Sequence, residues 1–574
     1  MSPLRRVATN HIDACHLPDE EERHAPPTGA NTPDPYPSPD PDPELEAGAD
    51  QEDPRASNDR TLVDVGLGGE LEKGGKRRRP EGEGSNGGGE RRRKGEDVPP
   101  EERDWVDDVV TFDSKTDPQN PKNWSLRRKG MATMLFGLTT MCSTFASSVF
   151  SPAVTYVGAE YGVSSEVAIL GISLFIAGYI PGPVIWAPVS EVYGRRISVL
   201  LPMVVFLCLT AGTATAENLQ TIFITRFFAG VMASSPVATV GGGLADMFDQ
   251  KERGTAVVFY SLAVVAGPTL GPIIGGAVSE SYLGWRWTMY LTVILTGCVV
   301  LADIFFLKET FAPVLLTEKA RRLRIRTGRW ALHSRQEMQD FTLQMFLQKN
   351  LVRPLEMLAF EPMVTLITIY NSFAYGILYL LFAAVPIIYE QHRGWSTLVG
   401  SLPFLATLLG TILAAGINIL YSQLVFAPYI EKHGSAPPEH RLPPMMLGSI
   451  TFPIGFFLLG WTSNPAIFWL PSVIGLVFIG MSFLLIFQAG INYLIDAYTK
   501  YSASAVAANT FLRSIFAAAL PLVAQPLFNN LGVEWACTLL GGVAALLAAV
   551  PFAFYMVGPG LRKRSRMALG SERD

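Results

Sequence analysis

Nearly half of the 574 residues (49%) are hydrophobic and only 17% are charged, which indicates a membrane protein and argues against a soluble one. The net charge of −5 is the sum of an acidic N-terminal tail and basic loops. It therefore says little about the charge of any binding partner. The five cysteines show no spacing that is typical of a disulfide framework or a metal site.

Residues 1–129 differ from the rest of the chain. They are rich in Pro, Gly, Asp, Glu and Arg and have almost no apolar periodicity, which predicts a disordered cytoplasmic tail. The basic runs Lys76–Arg79 and Arg91–Lys94 could bind nucleic acid or anionic lipid. A solvated charged tail is the simpler interpretation. Because the rest of the chain is a hydrophobic membrane protein, we expect no nucleic-acid partner.

About twelve hydrophobic runs, each long enough to cross a bilayer, follow the tail. The predicted spans cover residues 130–154, 166–187, 197–215, 219–241, 256–278, 287–307, 362–388, 398–421, 443–462, 467–490, 503–526 and 534–557. We therefore expect an all-α integral membrane protein that uses the lipid bilayer as its solvent.

The loop between the second and third spans brings acidic and basic side chains together. Glu191 closes one span, Arg195 and Arg196 open the next, and Gly194 permits the turn between them. One interpretation is a charge-paired latch that favours one access state and opens when the protein changes shape. The alternative is a topology-setting basic turn in which Glu191 only balances charge. A carboxylate at a helix C-terminus opposes the helix dipole, which favours the latch.

Arg226 lies well inside the fourth predicted span, where a guanidinium is costly unless it finds a partner or water. It either faces the interior and responds to proton or substrate binding, or extends to the nearby membrane interface. The rarity of charge in lipid favours the first alternative. Arg513 in the eleventh span raises the same question.

Glycines and prolines recur in the fifth predicted span, between Ala266 and Gly276. The set consists of Gly267, Pro268, Gly271, Pro272 and Gly275. The glycines recur at every fourth residue, so they share one helix face that a neighbouring helix can approach closely. Each proline removes a backbone donor and is expected to bend the helix. We interpret this span as a pivot or seal, with a plain helix-packing face as the alternative.

A long basic segment divides the spans six and six. The predicted domains are an N-terminal half at 130–308, a linker at 309–361, a C-terminal half at 362–558 and a C-terminal tail at 559–574. Two six-helix halves joined by a linker are a transporter architecture, in which substrate binds near the midplane between the halves.

Polar and aromatic side chains of the C-terminal half are candidates for a substrate cavity. The set comprises Asn371, Tyr375 and Tyr379 in the seventh span, Gln488 and Asn492 in the tenth, and Asn509 in the eleventh. Amides within a span usually face the bundle interior, although hydrogen bonds between helices would place them there equally well. No ring of acidic residues accompanies them, so bulky amphiphilic compounds fit better than cations.

Lys and Arg residues concentrate in the loops on one side of the predicted bundle. These loops contain Arg127–Lys129, Arg195–Arg196, Lys251–Arg253, Lys319–Arg329, Lys432–Arg441 and Arg562–Arg566. The positive-inside rule makes this side cytoplasmic and places both termini in the cytoplasm. We expect the plasma membrane as the location and a single chain as the functional unit.

Seven segments resemble motifs of the major facilitator superfamily, in particular of its fungal twelve-span drug:proton antiporters. They are Asp117–Ser125, Pro188–Arg196, Phe223–Gly230, Ala266–Gly276, Gly284–Trp287, Glu309–Pro313 and Asn492–Tyr498. Their order, over roughly residues 113–558, makes the resemblance specific. The resemblance associates the Ala266–Gly276 stretch with exporters rather than importers.

The resemblance leaves the proton carrier unassigned. Drug antiporters of this superfamily often carry an acidic residue in the first helix, and residues 130–154 contain none. Asp303, Glu390, Glu191 and Asp496 are the candidates elsewhere. Asp303 and Asp496 lie near helix ends, so solvated helix-end charges are the default expectation for both.

We therefore expect a proton-coupled secondary exporter of hydrophobic or amphiphilic small molecules, working by alternating access. Drugs, toxins and the cell's own secondary metabolites, including glycolipids, are the expected substrates. A facilitator or importer of nutrients, sugars or polyamines on the same fold is the alternative. Catalytic and nucleotide-binding motifs are not found in the sequence, so we expect neither an enzyme nor a cofactor or metal site.

Overall fold

The structure is a computed structural model that describes residues 108–114, 116–248, 250–338, 348–434, 436–565 and 567–568. Within these residues the fold is built from α-helices, and one extended pairing joins Val109 to His333. The predicted all-α membrane fold is confirmed.

Six helices form the N-terminal half. They are α1 (Leu126–Ser148 continued by Ala153–Tyr161), α2 (Ser165–Tyr193), α3 (Arg195–Ala214), α4 (Leu219–Met247), α5 (Gln250–Glu280) and α6 (Arg286–Phe306). The two segments of α1 meet at a bend of 46°. Capping residues set several of these bounds: the Asn218 side chain, for example, accepts the Thr221 N–H at the start of α4.

The C-terminal half repeats this arrangement. Its first helices are α7 (Pro362–His392), α8 (Thr397–His433), α9 (Pro443–Trp461) and α10 (Leu470–Ala497). The last element, Ser502–Arg564, has 63 residues, and as one straight helix it would be about 95 Å long, three times a bilayer core of about 30 Å. It is broken at Gly532, whose φ of 78° ends α11 and begins α12.

The number of crossings follows from these bounds. Ten helices of the described chain are long and apolar enough to span a membrane, and the bent α1 brings the number to eleven. Dividing the last of them at Gly532 gives α11 and α12, hence the twelve spans that the sequence predicts. The protein is a multi-pass membrane protein.

The segment before α1 differs from the prediction of a disordered tail up to residue 129. Residues 1–107 lie outside the described part, but the described residues that follow pack on the linker: Lys319 pairs with Asp113 at 2.7 Å, and the Val110 N–H bonds to the His333 carbonyl. The Gln119 and Asp113 N–H groups and the Lys319 ammonium lower the pKa of Asp117, so its carboxylate holds this turn together. Polar capping orders this segment together with the burial of Val110 and Trp124.

The linker contains the helices Ala312–Thr327 and Arg353–Phe360, and residues 339–347 between them are outside the described part. We call the membrane face that carries these helices the linker face. At the C-terminus of the chain, α12 continues to Arg564. The C-terminal tail therefore begins later than residue 559, where the sequence predicts it. Its Arg562 bonds to Glu439 with two hydrogen bonds of 2.9 and 3.0 Å.

The two halves contact each other near the face opposite the linker. Ser151 of α1 donates to the Phe382 carbonyl of α7 at 2.5 Å, and the Glu280 carboxylate at the end of α5 accepts the Leu398 N–H of α8 at 2.8 Å. These bonds join helices from different halves, so the protein is closed at this face.

Candidate functional site

The glycine face of α5 lies against α1. A Cβ added at Gly267 would come within 2.7 Å of the Met141 carbonyl oxygen, and one at Gly271 within 2.9 Å of the Val149 nitrogen. Gly275 abuts the same turn of α1. The Thr144 and Ser148 hydroxyls also lie against these positions, but the backbone atoms beside them cannot rotate away from a larger side chain. The two helices therefore touch along three turns, and Pro268 and Pro272 lie within this stretch of α5.

Another side of the same helix faces the C-terminal half. A Cβ at Gly276 would be 2.8 Å from the Ser401 hydroxyl and 3.0 Å from the Thr397 carbonyl of α8. Helix α5 is thus packed between α1 of its own half and α8 of the other, with little side-chain volume on either side. Relative motion of the halves has to pass through these contacts.

The turn between α2 and α3 is held by Glu309, which follows α6. The carboxylate accepts the backbone N–H groups of Arg195 at 2.8 Å and Arg196 at 3.0 Å, and so caps the N-terminus of α3. Gly194 has φ 92°, a conformation that favours glycine, and a Cβ there would be 2.6 Å from the Glu309 carboxyl carbon.

The arginine side chains of this turn have partners other than the expected Glu191. Arg195 pairs with Asp246 at the end of α4 at 3.0 Å, and Arg196 donates to the Ile304 carbonyl of α6 at 2.8 Å. Glu191 is exposed. The structure thus adds two acids to the latch predicted from Glu191, Arg195 and Arg196: Asp246 at the end of α4 and Glu309 after α6.

A second charged cluster occupies the corresponding place in the C-terminal half. Arg441, before α9, pairs with Asp496 in the last turn of α10 at 2.7 Å, as Arg195 pairs with Asp246 in the last turn of α4. Asp496 is therefore not the merely solvated charge expected by default. This cluster was not predicted from the sequence. In both halves, however, a basic loop residue and an acidic residue at a helix end occupy similar positions, and this similarity could have indicated it.

Arg226 is buried, with 2% of its surface exposed, which excludes the interface alternative. Its Nε donates to the Gly171 carbonyl of α2 at 2.9 Å and its Nη1 to the Ala146 carbonyl of α1 at 2.8 Å. The guanidinium also lies over the Phe150 and Phe175 rings, at 4.9 and 4.5 Å from their centroids. Ala146 belongs to the last turn before the bend of α1, where carbonyls lack helical partners, so Arg226 caps that helix end.

Asp303 is fully buried at the α1–α6 contact, where the default expectation was a solvated helix-end charge. Its Oδ2 is 2.6 Å from the Thr139 hydroxyl of α1, and its Oδ1 has no partner among the described residues. Asp303 lies within one turn of the C-terminal end of α6 at Phe306 and nearly five turns from its start at Arg286. Glu390, in α7, is only partly buried.

Aromatic side chains around Arg513 form what we call the central cluster: Tyr375 and Tyr379 of α7, Phe483 and Phe487 of α10, and Arg513 of α11. Tyr375 stacks on Phe487 with ring centroids 5.9 Å apart, and the Arg513 guanidinium lies 4.9 Å from the Tyr375 centroid. The Tyr379 hydroxyl is 3.1 Å from that of Ser147 in α1, so the cluster touches the N-terminal half.

The predicted amide residues divide into two groups. Asn371 donates to Asn509 at 3.2 Å, and both are fully buried between α7 and α11, so they act as an interhelical bond in this conformation. A Cβ at Gly490 of α10 would be 2.7 Å from the Asn371 amide. Gln488 and Asn492, on the other hand, are partly exposed. Only this second pair is open to a small molecule here.

Comparison with known proteins gives consistent results. A model of the Major Facilitator Superfamily matches residues 136–521. The efflux pump bik6 of Gibberella fujikuroi is 44% identical over 80% of this chain and 95% of its own length. The citrinin biosynthesis cluster MFS transporter mrr1 of Monascus ruber is 41% identical over 80% of this chain and 92% of its own.

Two further proteins extend the comparison. The major facilitator superfamily multidrug transporter FLU1 of Candida albicans is 39% identical over 80% of this chain and 76% of its own length. Among solved structures, the MFS proton:xylose symporter XylE superposes with a TM-score of 0.55 over 75% of this chain and 97% of its own, at 16% identity. At that identity the likeness concerns the fold alone.

Proposed function

The chain belongs to the major facilitator superfamily, and on that basis we propose that it is a proton-coupled exporter of hydrophobic or amphiphilic small molecules. The observation that carries this proposal is the similarity, at 39–44% identity over most of the chain, to proteins named as efflux, multidrug and biosynthesis-cluster transporters. Import of sugars is supported only by the fold likeness to a symporter, which any member of the superfamily would share.

The contacts between the two halves support alternating access as the transport cycle. Closure at the face opposite the linker corresponds to a state in which substrate enters from the linker face. The basic loops support a cytoplasmic linker face with both termini inside and a plasma-membrane location. Every charged and aromatic group that the cycle needs comes from one chain, so a monomer suffices.

Helix α1 connects the groups to which we assign coupling. Thr139 meets Asp303, Ala146 accepts from Arg226, and Ser147 meets Tyr379 of the central cluster. Thr139 and Ser147 are eight residues apart, so they lie on one side of the helix about 12 Å from each other. A change in the hydrogen bonds of Asp303 therefore acts on the same helix that contacts the substrate region.

Asp303 and Thr139 can exist in two hydrogen-bonded states. The Thr139 hydroxyl has a single proton and two acceptors in reach, the Asp303 carboxyl at 2.6 Å and the Leu135 carbonyl at 2.9 Å. When Asp303 is ionised, the hydroxyl donates to it. When Asp303 is protonated, the acid donates to the hydroxyl, which is then free to donate to Leu135. Because Asp303 forms no ion pair with any residue that the structure describes, either state is reached without breaking one.

Asp303→Asn is expected to uncouple transport from the proton gradient, because an amide cannot exchange this proton. We expect export against the concentration gradient of the compound to fall by at least about tenfold, which is the effect of losing one charged hydrogen bond. Exchange of the same compound down its gradient should persist. Both rates are measured in membrane vesicles that contain the protein. The transported compound is the one that accumulates most when the gene is deleted from cells.

Asp113→Asn serves as the control, because that carboxylate is 81% exposed and pairs with Lys319 at the surface. It should leave both rates unchanged. Uphill export by Asp303→Asn at the wild-type rate would reject Asp303 as the proton site and leave the export function standing.

A further inference from the structure

Arg513 is a buried cation without an anionic partner among the residues that the structure describes. It lies within α11 with 8% of its surface exposed, and its Nε has no hydrogen-bond partner among the described residues. The Arg513 guanidinium lies over the faces of two aromatic rings, 4.9 Å from the centroid of Tyr375 and 5.2 Å from that of Phe487. Cationic side chains inside a membrane normally pair with an anion or with carbonyl groups, and such residues often line substrate pathways.

The aspartates of the spanning helices are engaged elsewhere, and Glu390 lies fifteen residues beyond Tyr375, about 22 Å further along α7. Asp246 pairs with Arg195, Asp496 pairs with Arg441, and Asp303 bonds to a threonine. The other deeply buried arginine, Arg226, differs from Arg513 because two backbone carbonyls accept its hydrogen bonds. In the described part of the chain Arg513 thus has no carboxylate partner, and an anionic ligand would satisfy its free Nε donor.

The surroundings of Arg513 specify the rest of the ligand. Phe483 and Phe487 stack with ring centroids 5.8 Å apart and planes 20° from parallel, and Tyr375 continues the stack on Phe487 at 28°. Tyr375 and Phe487 are themselves partly exposed. Near-parallel rings present flat apolar faces, which favour a flat aromatic ring system over an aliphatic chain.

We propose that Arg513 binds the anionic group, a carboxylate or phenolate, of an aromatic substrate whose rings pack on Tyr375 and Phe487. This assignment rests on the proposed export function and specifies its substrate class. The guanidinium supplies charged hydrogen bonds to the anion in a site shielded from water, where such bonds discriminate strongly against a neutral analogue.

The test compares two probes of nearly equal size, pyrenebutyric acid and its amide. Binding to the full-length protein in nanodiscs of zwitterionic lipid is measured by equilibrium dialysis at neutral pH, with empty nanodiscs as the blank. We expect the acid to bind at least about tenfold more tightly than the amide, which corresponds to one charged hydrogen bond. Equal binding of the two probes would overturn the proposal.

Variants assign the preference to Arg513. Arg513→Met should lower the affinity for the acid to that for the amide without changing the latter, and unchanged amide binding also shows that the variant is folded. Arg513→Lys, which keeps the charge, should retain part of the preference. Arg329→Met, at a side chain 69% exposed in the linker, should behave as the wild type. A preference that persists in Arg513→Met would place the anion elsewhere and overturn the assignment.

The export function is tested separately in cells. A wild-type protein that exports neutral compounds but binds the two probes equally would keep the function and reject the anion site. A protein that prefers the acid through Arg513 but exports nothing would keep the anion site as a binding property and reject export.

Discussion

Gly271→Leu is expected to abolish export while leaving the amount of protein in the membrane near that of the wild type. A Cβ at this position already stands 2.9 Å from the Val149 nitrogen and abuts the Ser148 hydroxyl, so a leucine can be accommodated only if α1 and α5 separate. Overpacking of this kind costs about 1–3 kcal/mol, which corresponds to a rate roughly 5- to 150-fold lower if the closed contact is part of the cycle. The initial rate of efflux, normalised to membrane protein, measures this effect.

Gly297→Leu provides the matched control, because a Cβ at Gly297 in α6 meets nothing within 4 Å. It should transport normally, and Gly271→Ala should fall between the two leucine variants. Normal efflux by Gly271→Leu would show that the α1–α5 contact is ordinary packing without a role in the cycle.

Arg226→Ala is expected to remove proton-coupled export and to destabilise the N-terminal half. The substitution deletes two hydrogen bonds from a charged donor, each contributing about 1.5–3 kcal/mol, and it removes the donor that caps the Ala146 carbonyl at the bend of α1. Efflux and the thermal unfolding midpoint in detergent are measured together. Arg226→Lys should restore little, because one ammonium cannot reproduce the planar fork between two helices.

The control for this experiment is Arg329→Ala, which removes only a surface ion pair with Asp108 and should change neither quantity. Wild-type efflux by Arg226→Ala, at whatever stability, would show that Arg226 has no part in coupling. Lost stability with normal efflux per folded molecule would give it a purely structural role.

The sequence predicts features with a local signature. The spans appear because a run of apolar residues is itself the signal, and the glycine face of α5 appears because helical periodicity places residues four apart on one side. For the same reason Tyr375 and Tyr379 are found together on α7. Such patterns need no knowledge of which helix packs on which.

Partners from distant parts of the chain could not be predicted. Glu309 caps a turn more than one hundred residues before it, and the Asp303 and Thr139 side chains meet across 164 positions. Arg226 bonds to backbone carbonyls, which every residue carries and no sequence pattern marks. These contacts depend on the packing order of the helices, and a single sequence leaves that order open.

The central claim, export driven by protons, is tested most directly by compound accumulation. A panel of hydrophobic and amphiphilic compounds is given to cells with the gene deleted and restored, with and without a protonophore. We predict that deletion raises intracellular retention of at least one compound, that restoration reverses it, and that the protonophore reproduces it in restored cells. Reduced uptake on deletion would contradict the claim and make the protein an importer.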